Sequence, residues 1–346
     1  MESRTQAPRL QTATPSPVVP KRVGVLAGAN TPTSAVTKNV VKGPHVQAFD
    51  TEMQGPLGWT YDTDIIVRYL WVRPWEEAQV RKGVRWLLGN PASTDGNIDG
   101  ESSPFTGNGA ADVPSALLAT GTCLAQYAID ERNNAPGARQ NVPVILPTDD
   151  GRWILDETPN KNTKHLTGIS SCFSYCVGTR IDWLLGQINK TSGAYIYVVY
   201  NPGPYQNNDP DQPPPPTNVL YPVWLEKHRE WQAARDYLTA LGHTPHRLVL
   251  TQNNTLSLNG GPQPDGILTL GDAYTFLRRA AIQAFAGNTP VIYEHGDLVN
   301  LTTNPNGQSF GPDMTVMYTA AADCLDDLLR NNNVRNPAKS SPKFHH

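Results

Sequence analysis

From residue 112 onward the chain alternates between helical and strand patterns. Four times over a helix leads into a short apolar strand, and a last helix follows. This order constrains the fold more than any other feature. Strands separated by helices run parallel, because each crossover returns the chain to the same edge of the sheet. The available solutions are an open doubly wound sheet or a closed barrel. The predicted strands are VPVIL (142–146), AYIYVVY (194–200), RLVLT (247–251) and PVIYE (290–294). AYIYVVY is apolar almost throughout, as in a strand covered on both faces. Helices are predicted over 112–133, 164–188, 223–241, 270–286 and 314–331, with Gly242 and Gly287 as stop signals. Upstream, RVGVLA (22–27), HVQAFD (45–50) and DIIVRYLWV (64–72) read as strands. Pro74, Glu76 and Glu77 open a helix that Gly89 ends. About seven candidate strands favour a (β/α)8-like barrel, or a related parallel α/β fold, with the eighth strand not visible.

Length and composition set the remaining bounds. The 346 residues allow one large domain or two of ordinary size. The expected division is an extended polar arm over 1–40, an α/β body over 41–335 and a tail over 336–346. With 38% hydrophobic and 17% charged residues the chain supports a real core. A net charge of -3 and the lack of a basic run leave no nucleic-acid footprint. No apolar run reaches the ~20 residues of a membrane helix, so no membrane partner is expected. Residues 1–22 show no apolar h-region, so no secretory signal is expected, and the sequence leaves the compartment open. Cys172 and Cys176 lie i, i+4 on a predicted helix and read as buried thiols, with no metal-ligand spacing elsewhere. Neither a Walker A loop nor a G-x-G-x-x-G turn follows a strand, so no cofactor is expected.

In parallel α/β folds the chemistry gathers at the carboxyl ends of the strands. Asp50 follows HVQAF, Asp149 and Asp150 follow VPVIL, Asn201 follows AYIYVVY, and Glu294 and His295 follow PVIY. Paired carboxylates of this kind can flank a glycosidic bond as nucleophile and general acid/base. Trp59, Tyr61, Trp75, Trp153 and Tyr205 are available to stack on sugar rings. The bland alternative makes the acids turn and cap residues and the tryptophans core.

The stretch from about Asp112 to Leu298 resembles the barrel glycosidases of the cellulase and mannanase superfamily. VPVILPTDDGRW stands where that family has a strand ending in polar residues. YIYVVYNPGP is similar to its strand ending in Asn-Glu-Pro, and TPVIYEHGD to its strand ending in a nucleophilic Glu. The resemblance implies that Glu294 is the nucleophile and that Asn201 orients a sugar hydroxyl; Asp50 and His295, by their strand-end positions, and Trp153 and Tyr205, as loop aromatics, are further candidate substrate contacts. Where the family has its acid/base Glu, this chain has Pro202. Asp149 or Asp150 would then supply the proton, or the barrel would bind glycans without cutting them. A glycosidase reading requires Glu294 to share a cleft with one of these acids. A Glu294 buried against an arginine would end it. The rival expectation is a self-assembling virion or shell subunit whose polar arm packs on neighbouring copies. Carbohydrate and self-association are thus the two partner classes expected.

Overall fold

A computed structural model describes residues 19–28, 42–74, 76–89, 98, 101, 103–105, 113–148, 165–170, 173–201, 213–250, 256–258, 260–271, 275, 278–295, 305–331 and 344–345. Two five-stranded parallel sheets form the frame, and among the described residues no barrel closes. The first holds β1 (Lys21–Gly28), β2 (Ile65–Val72), β3 (Ala116–Ala119), β4 (Val144–Thr148) and β5 (Leu166–Ser170) in the order β2-β1-β3-β4-β5. The second holds β6 (Tyr195–Tyr200), β7 (Thr244–Val249), β8 (Gly266–Thr269), β9 (Val291–Tyr293) and β10 (Gly307–Ser309) in the order β7-β6-β8-β9-β10. Counted within each sheet, both follow one pattern, 2-1-3-4-5.

Each strand feeds alternate side chains to opposite faces, so each sheet needs two covers. In the first sheet Leu26, Leu70, Val72, Leu117 and Leu146 meet α2 (Glu77–Leu87) and α3 (Thr122–Asn134). Val23, Val25, Val67, Leu118 and Ile145 face the other way, onto α1 (Pro44–Gln54) and the last helix. In the second sheet Ile196, Val198 and Leu268 meet α4 (Phe173–Gln187) and α5 (Tyr221–Ala240). Tyr197, Val199 and Ile267 meet α6 (Arg279–Ala286). The last helix, α7 (Met314–Asn331), closes the first sheet although it follows the second in sequence.

Several sequence expectations are corrected here. HVQAFD lies in α1, because Val46, Phe49 and Met53 recur at helical spacing and Pro44 occupies the first turn. The predicted helix 112–133 holds β3 ahead of α3. The strand ALLA is built of strong helix formers, and its burial in mid-sheet overrides their propensity. LTGIS, inside the predicted helix 164–188, is β5. Gly168 is required there: a Cβ would stand 2.2 Å from the Leu146 carbonyl oxygen. GILT (β8) and GQS (β10) are further strands that the apolar pattern did not reveal. With two sheets in place of one ring, the barrel expectation falls.

The amino edge of the second sheet is pinned by Asp265. Its carboxylate accepts from Lys190 Nζ at 2.7 and 2.8 Å and from the Tyr195 N–H at 2.9 Å. Partial burial pushes this carboxyl up, but Lys190 and the Tyr195 N–H outweigh it and hold it below the ordinary value. A depressed carboxyl stabilises the fold above its unfolded pKa, near 3.8, and loses that contribution as pH falls through its lower folded value. Asp265→Asn is therefore expected to lower stability by about 1 kcal/mol at pH 7. The difference from the unsubstituted chain should shrink at an acidic pH well below the ordinary carboxyl value. Urea denaturation at both pH values checks this, and a pH-independent difference would refute it.

Candidate functional site

In an open parallel sheet a crevice forms where neighbouring strands send their connections to opposite faces. In the first sheet this happens between β1, which leads to α1 on one face, and β3, which leads to α3 on the other. In the second it happens between β6, followed by α5, and β8, followed by α6. The chain passes from one sheet to the other at these same carboxyl edges. Two residues separate the end of β5 from α4, and β11 (Gly311–Pro312) lies between β10 and α7. β11 pairs antiparallel with β12 (Phe344–His345), so two chain segments meet at that crossing.

α5 also spans the gap. Its 20 residues run about 30 Å, while the six-residue β6 beneath it covers about 20 Å. Its C-terminus is fixed at the amino edge, where Gly193 N–H donates to the Gly242 carbonyl. The excess therefore projects past the carboxyl ends, and Leu220 and Val223 enter the core that holds Leu124 and Ala128 of α3.

Below that overhang lies a buried ionic cluster. Arg180 of α4, Glu230 of α5, Thr269 at the end of β8 and Glu294 just after β9 are all 0% exposed. Arg180 Nη1 donates to the Thr269 carbonyl at 3.0 Å and stands 3.9 Å from Glu294 Oε2. Arg180 Nη2 stands 4.0 Å from Glu230 Oε1. The Thr269 hydroxyl donates to Glu294 Oε2 in a short hydrogen bond. Glu294 Oε1 and Arg180 Nε and Nη2 have no hydrogen-bond partner. Buried polar groups are nearly always satisfied, so these atoms are open to an ordered water or a bound ligand. One turn earlier on α5, Lys227 Nζ lies 3.4 Å from Glu226 and 3.6 Å from Glu230, and all three residues are buried. The neighbouring Tyr293 phenol is pushed up to about 12, first by burial and then by the Glu294 charge.

Among the expected site residues, the structure brings Glu294 and His295 together after β9, and sets Asn201 at the carboxyl end of β6. All three are buried. Asp50 is not at a strand end. It sits in α1, accepts from the hydroxyls of Tyr61, at 2.7 Å, and Tyr69, and pairs with Lys42. Burial pushes both phenols above their ordinary value, and the Asp50 carboxylate adds to the effect. Asp50 thus ties α1 to the edge strand β2. Asp149, Asp150, Trp153 and Tyr205 lie outside the described residues, as does Trp75. Arg180, Glu230 and Thr269 were missed by sequence reasoning. The available signal was Arg180, which shares the largely apolar helix segment CVGTRIDWLLG with a single acid, Asp182.

No known family's sequence profile matches the chain, and no curated protein does. Solved structures do match over nearly its full length. A glucose-galactose binding protein from Geobacillus stearothermophilus is 9% identical, with a TM-score of 0.54 and coverage of 94% of this chain and 97% of that one. A LacI family transcriptional regulator from Arthrobacter sp. FB24, complexed with lactose, is 16% identical, with a TM-score of 0.54 and coverage of 94% and 98%. An ABC sugar transporter subunit from Rhodobacter sphaeroides is 14% identical, with a TM-score of 0.54 and coverage of 94% and 97%.

This chain shares their fold. The resemblance to cellulase and mannanase barrels is thereby overturned: the neighbours and the strand orders belong to a pair of open sheets. With it goes the basis for Glu294 as a glycosidase nucleophile. Glu294 is buried, with Arg180 Nη1 3.9 Å from its carboxylate. The polar arm that motivated a shell subunit lies mostly outside the described residues, and its residues 21–28 form β1 in mid-sheet. No helix among the described residues is long and apolar enough to cross a membrane.

Proposed function

We propose that this chain is a ligand-binding protein that encloses a small polyhydroxy solute, of the carbohydrate class, between the carboxyl ends of its two sheets. One observation carries the reading. Buried polar atoms without hydrogen-bond partners, Glu294 Oε1 and Arg180 Nε and Nη2, sit at the carboxyl edge of the second sheet, where the chain crosses to the first. An acceptor beside donors suits a pair of adjacent hydroxyls, one donating to the carboxylate and the next accepting from the guanidinium. Sugars and inositol are what several proteins of the same fold hold, by their own descriptions.

The test is a panel of mono- and disaccharides and cyclitols, screened by thermal shift and followed by calorimetry. A true ligand at about 100 times its Kd should stabilise the fold by about 2.7 kcal/mol. Glu294→Gln should weaken that ligand by about tenfold or more, since it replaces a charge-assisted hydrogen bond by a neutral one. A panel in which nothing binds at millimolar concentration would reject the reading. So would a ligand whose affinity ignores Glu294.

A further inference from the structure

The first sheet brings a different chemistry to the same cleft. α3 starts directly at the carboxyl end of β3, one of the two strands that flank the crevice. Its N-cap is Gly121, at φ 78°, and no side chain caps the helix. A Cβ at Gly121 would meet nothing within 4 Å, so the backbone, and not crowding, demands glycine there. The first-turn N–H groups of a helix lack intrahelical acceptors. Among the described residues, none accepts from the N–H of Thr122 or Leu124.

Two side chains repeat the deficit. The Thr122 hydroxyl is buried and has no partner. Gln126, four residues on and therefore on the same flank, is 1% exposed, and neither its Oε1 nor its Nε2 has a partner. The α2 side of α3 is marked by Asp130 and Glu131, which bind Arg81 and Arg85. α3 also packs on α5, which comes from the other half. Two main-chain donors, a hydroxyl and a primary amide are therefore gathered without hydrogen-bond partners in the first two turns of α3, beyond the carboxyl end of β3.

Resting on the ligand-binding reading above, we infer that the N-terminus of α3 is an anion subsite, and that the ligand carries a carboxylate which docks there. A helix N-terminus favours negative charge, and bonds from N–H groups to an ionised oxygen are about twice as strong as neutral ones. The carboxylate would accept from the N–H groups of Thr122 and Leu124 and from the Thr122 hydroxyl, with the Gln126 amide donating from the next turn. The hydroxyls at the ligand's far end would donate to Glu294 in the second sheet. A sugar acid fits both ends, whereas a neutral sugar leaves the α3 donors empty.

The experiment compares each acid with its neutral parent by calorimetry: galacturonate with galactose, and glucuronate with glucose. At least one acid should bind about tenfold or more tightly than its parent. Thr122→Val should weaken the acid about tenfold and its parent little, and Thr122→Ser should restore the acid. Because the lost hydroxyl has no partner, Thr122→Val should leave the melting temperature of the free protein unchanged, which separates a binding defect from misfolding. Neutral sugars binding as well as the acids would overturn the anion subsite and leave the ligand-binding reading standing. An acid that binds indifferently to Thr122→Val would also overturn it. Binding by neither class would overturn both.

Discussion

Arg180→Met is expected to cost about 3–5 kcal/mol of folding stability, the range found when one partner of a buried ion pair is removed. The guanidinium stands between Glu230 and Glu294, and neither carboxylate reaches solvent. Methionine fills much of the volume but supplies no charge, so the loss is electrostatic and not a cavity effect. Removing part of the stranded charge should recover part of the loss. The double variant Arg180→Met, Glu294→Gln is therefore expected to be more stable than Arg180→Met alone. Urea unfolding of the two variants and the unsubstituted chain measures both steps. A loss below about 1 kcal/mol would show that charge pairing in the cluster does not hold the fold together.

Gly311→Ala is expected to be nearly as damaging, for a steric reason. A Cβ at this position would stand 1.9 Å from the Glu294 carbonyl oxygen and 2.9 Å from its carbonyl carbon. Main-chain atoms cannot swing aside as the end of a side chain can. Either β11 lifts off or the Glu294 segment is pushed away from Arg180 and Thr269. Overpacking typically costs 1–3 kcal/mol and sometimes more, and about 3 kcal/mol is expected where the obstacle is backbone. A control is available in α4. A Cβ at Gly186 meets nothing within 4 Å, so Gly186→Ala should be neutral or stabilise the helix by up to about 1 kcal/mol. Thermal unfolding of both variants gives the comparison. A Gly311→Ala protein as stable as the control would show that the crossing does not rest on Glu294.

Both predictions rest on features of unequal visibility in the sequence. AYIYVVY could be read as a doubly covered strand because β-branched and aromatic residues fill both of its faces, and α7 could be read because its apolar stripe is long and regular. β3, β5, β8 and β10 were hidden for physical reasons. They have three to five residues each, too few for a period to show. Leu and Ala in β3 prefer helices in isolation, and only the neighbouring strands β1 and β4 hold them extended. Losing these strands changed the count, and the count decided between one ring and two sheets. The polar end of β9 was legible, since Glu294 and His295 follow an apolar run. Its partners were not, because Arg180, Glu230 and Thr269 come from three other elements and meet only when the second half is folded. The orphaned Thr122 and Gln126 were equally invisible, because a missing partner is a property of the fold and not of the string.

The place of α7 has a consequence for how the protein comes into being. Met317, Ala321, Ala322, Leu325 and Leu328 cover one face of the first sheet. All five strands of that sheet have left the ribosome by Ser170, and α7 begins only at Met314. At a synthesis rate of about 5–20 residues per second, the interval is on the order of ten seconds. Throughout it, Val23, Val25, Val67, Leu118 and Ile145 form a sheet face with α1 as the one partner helix among the described residues made by then. The nascent first half is therefore an incomplete body that waits for the end of its own chain, and helper proteins that shield apolar surface would find their clearest target there.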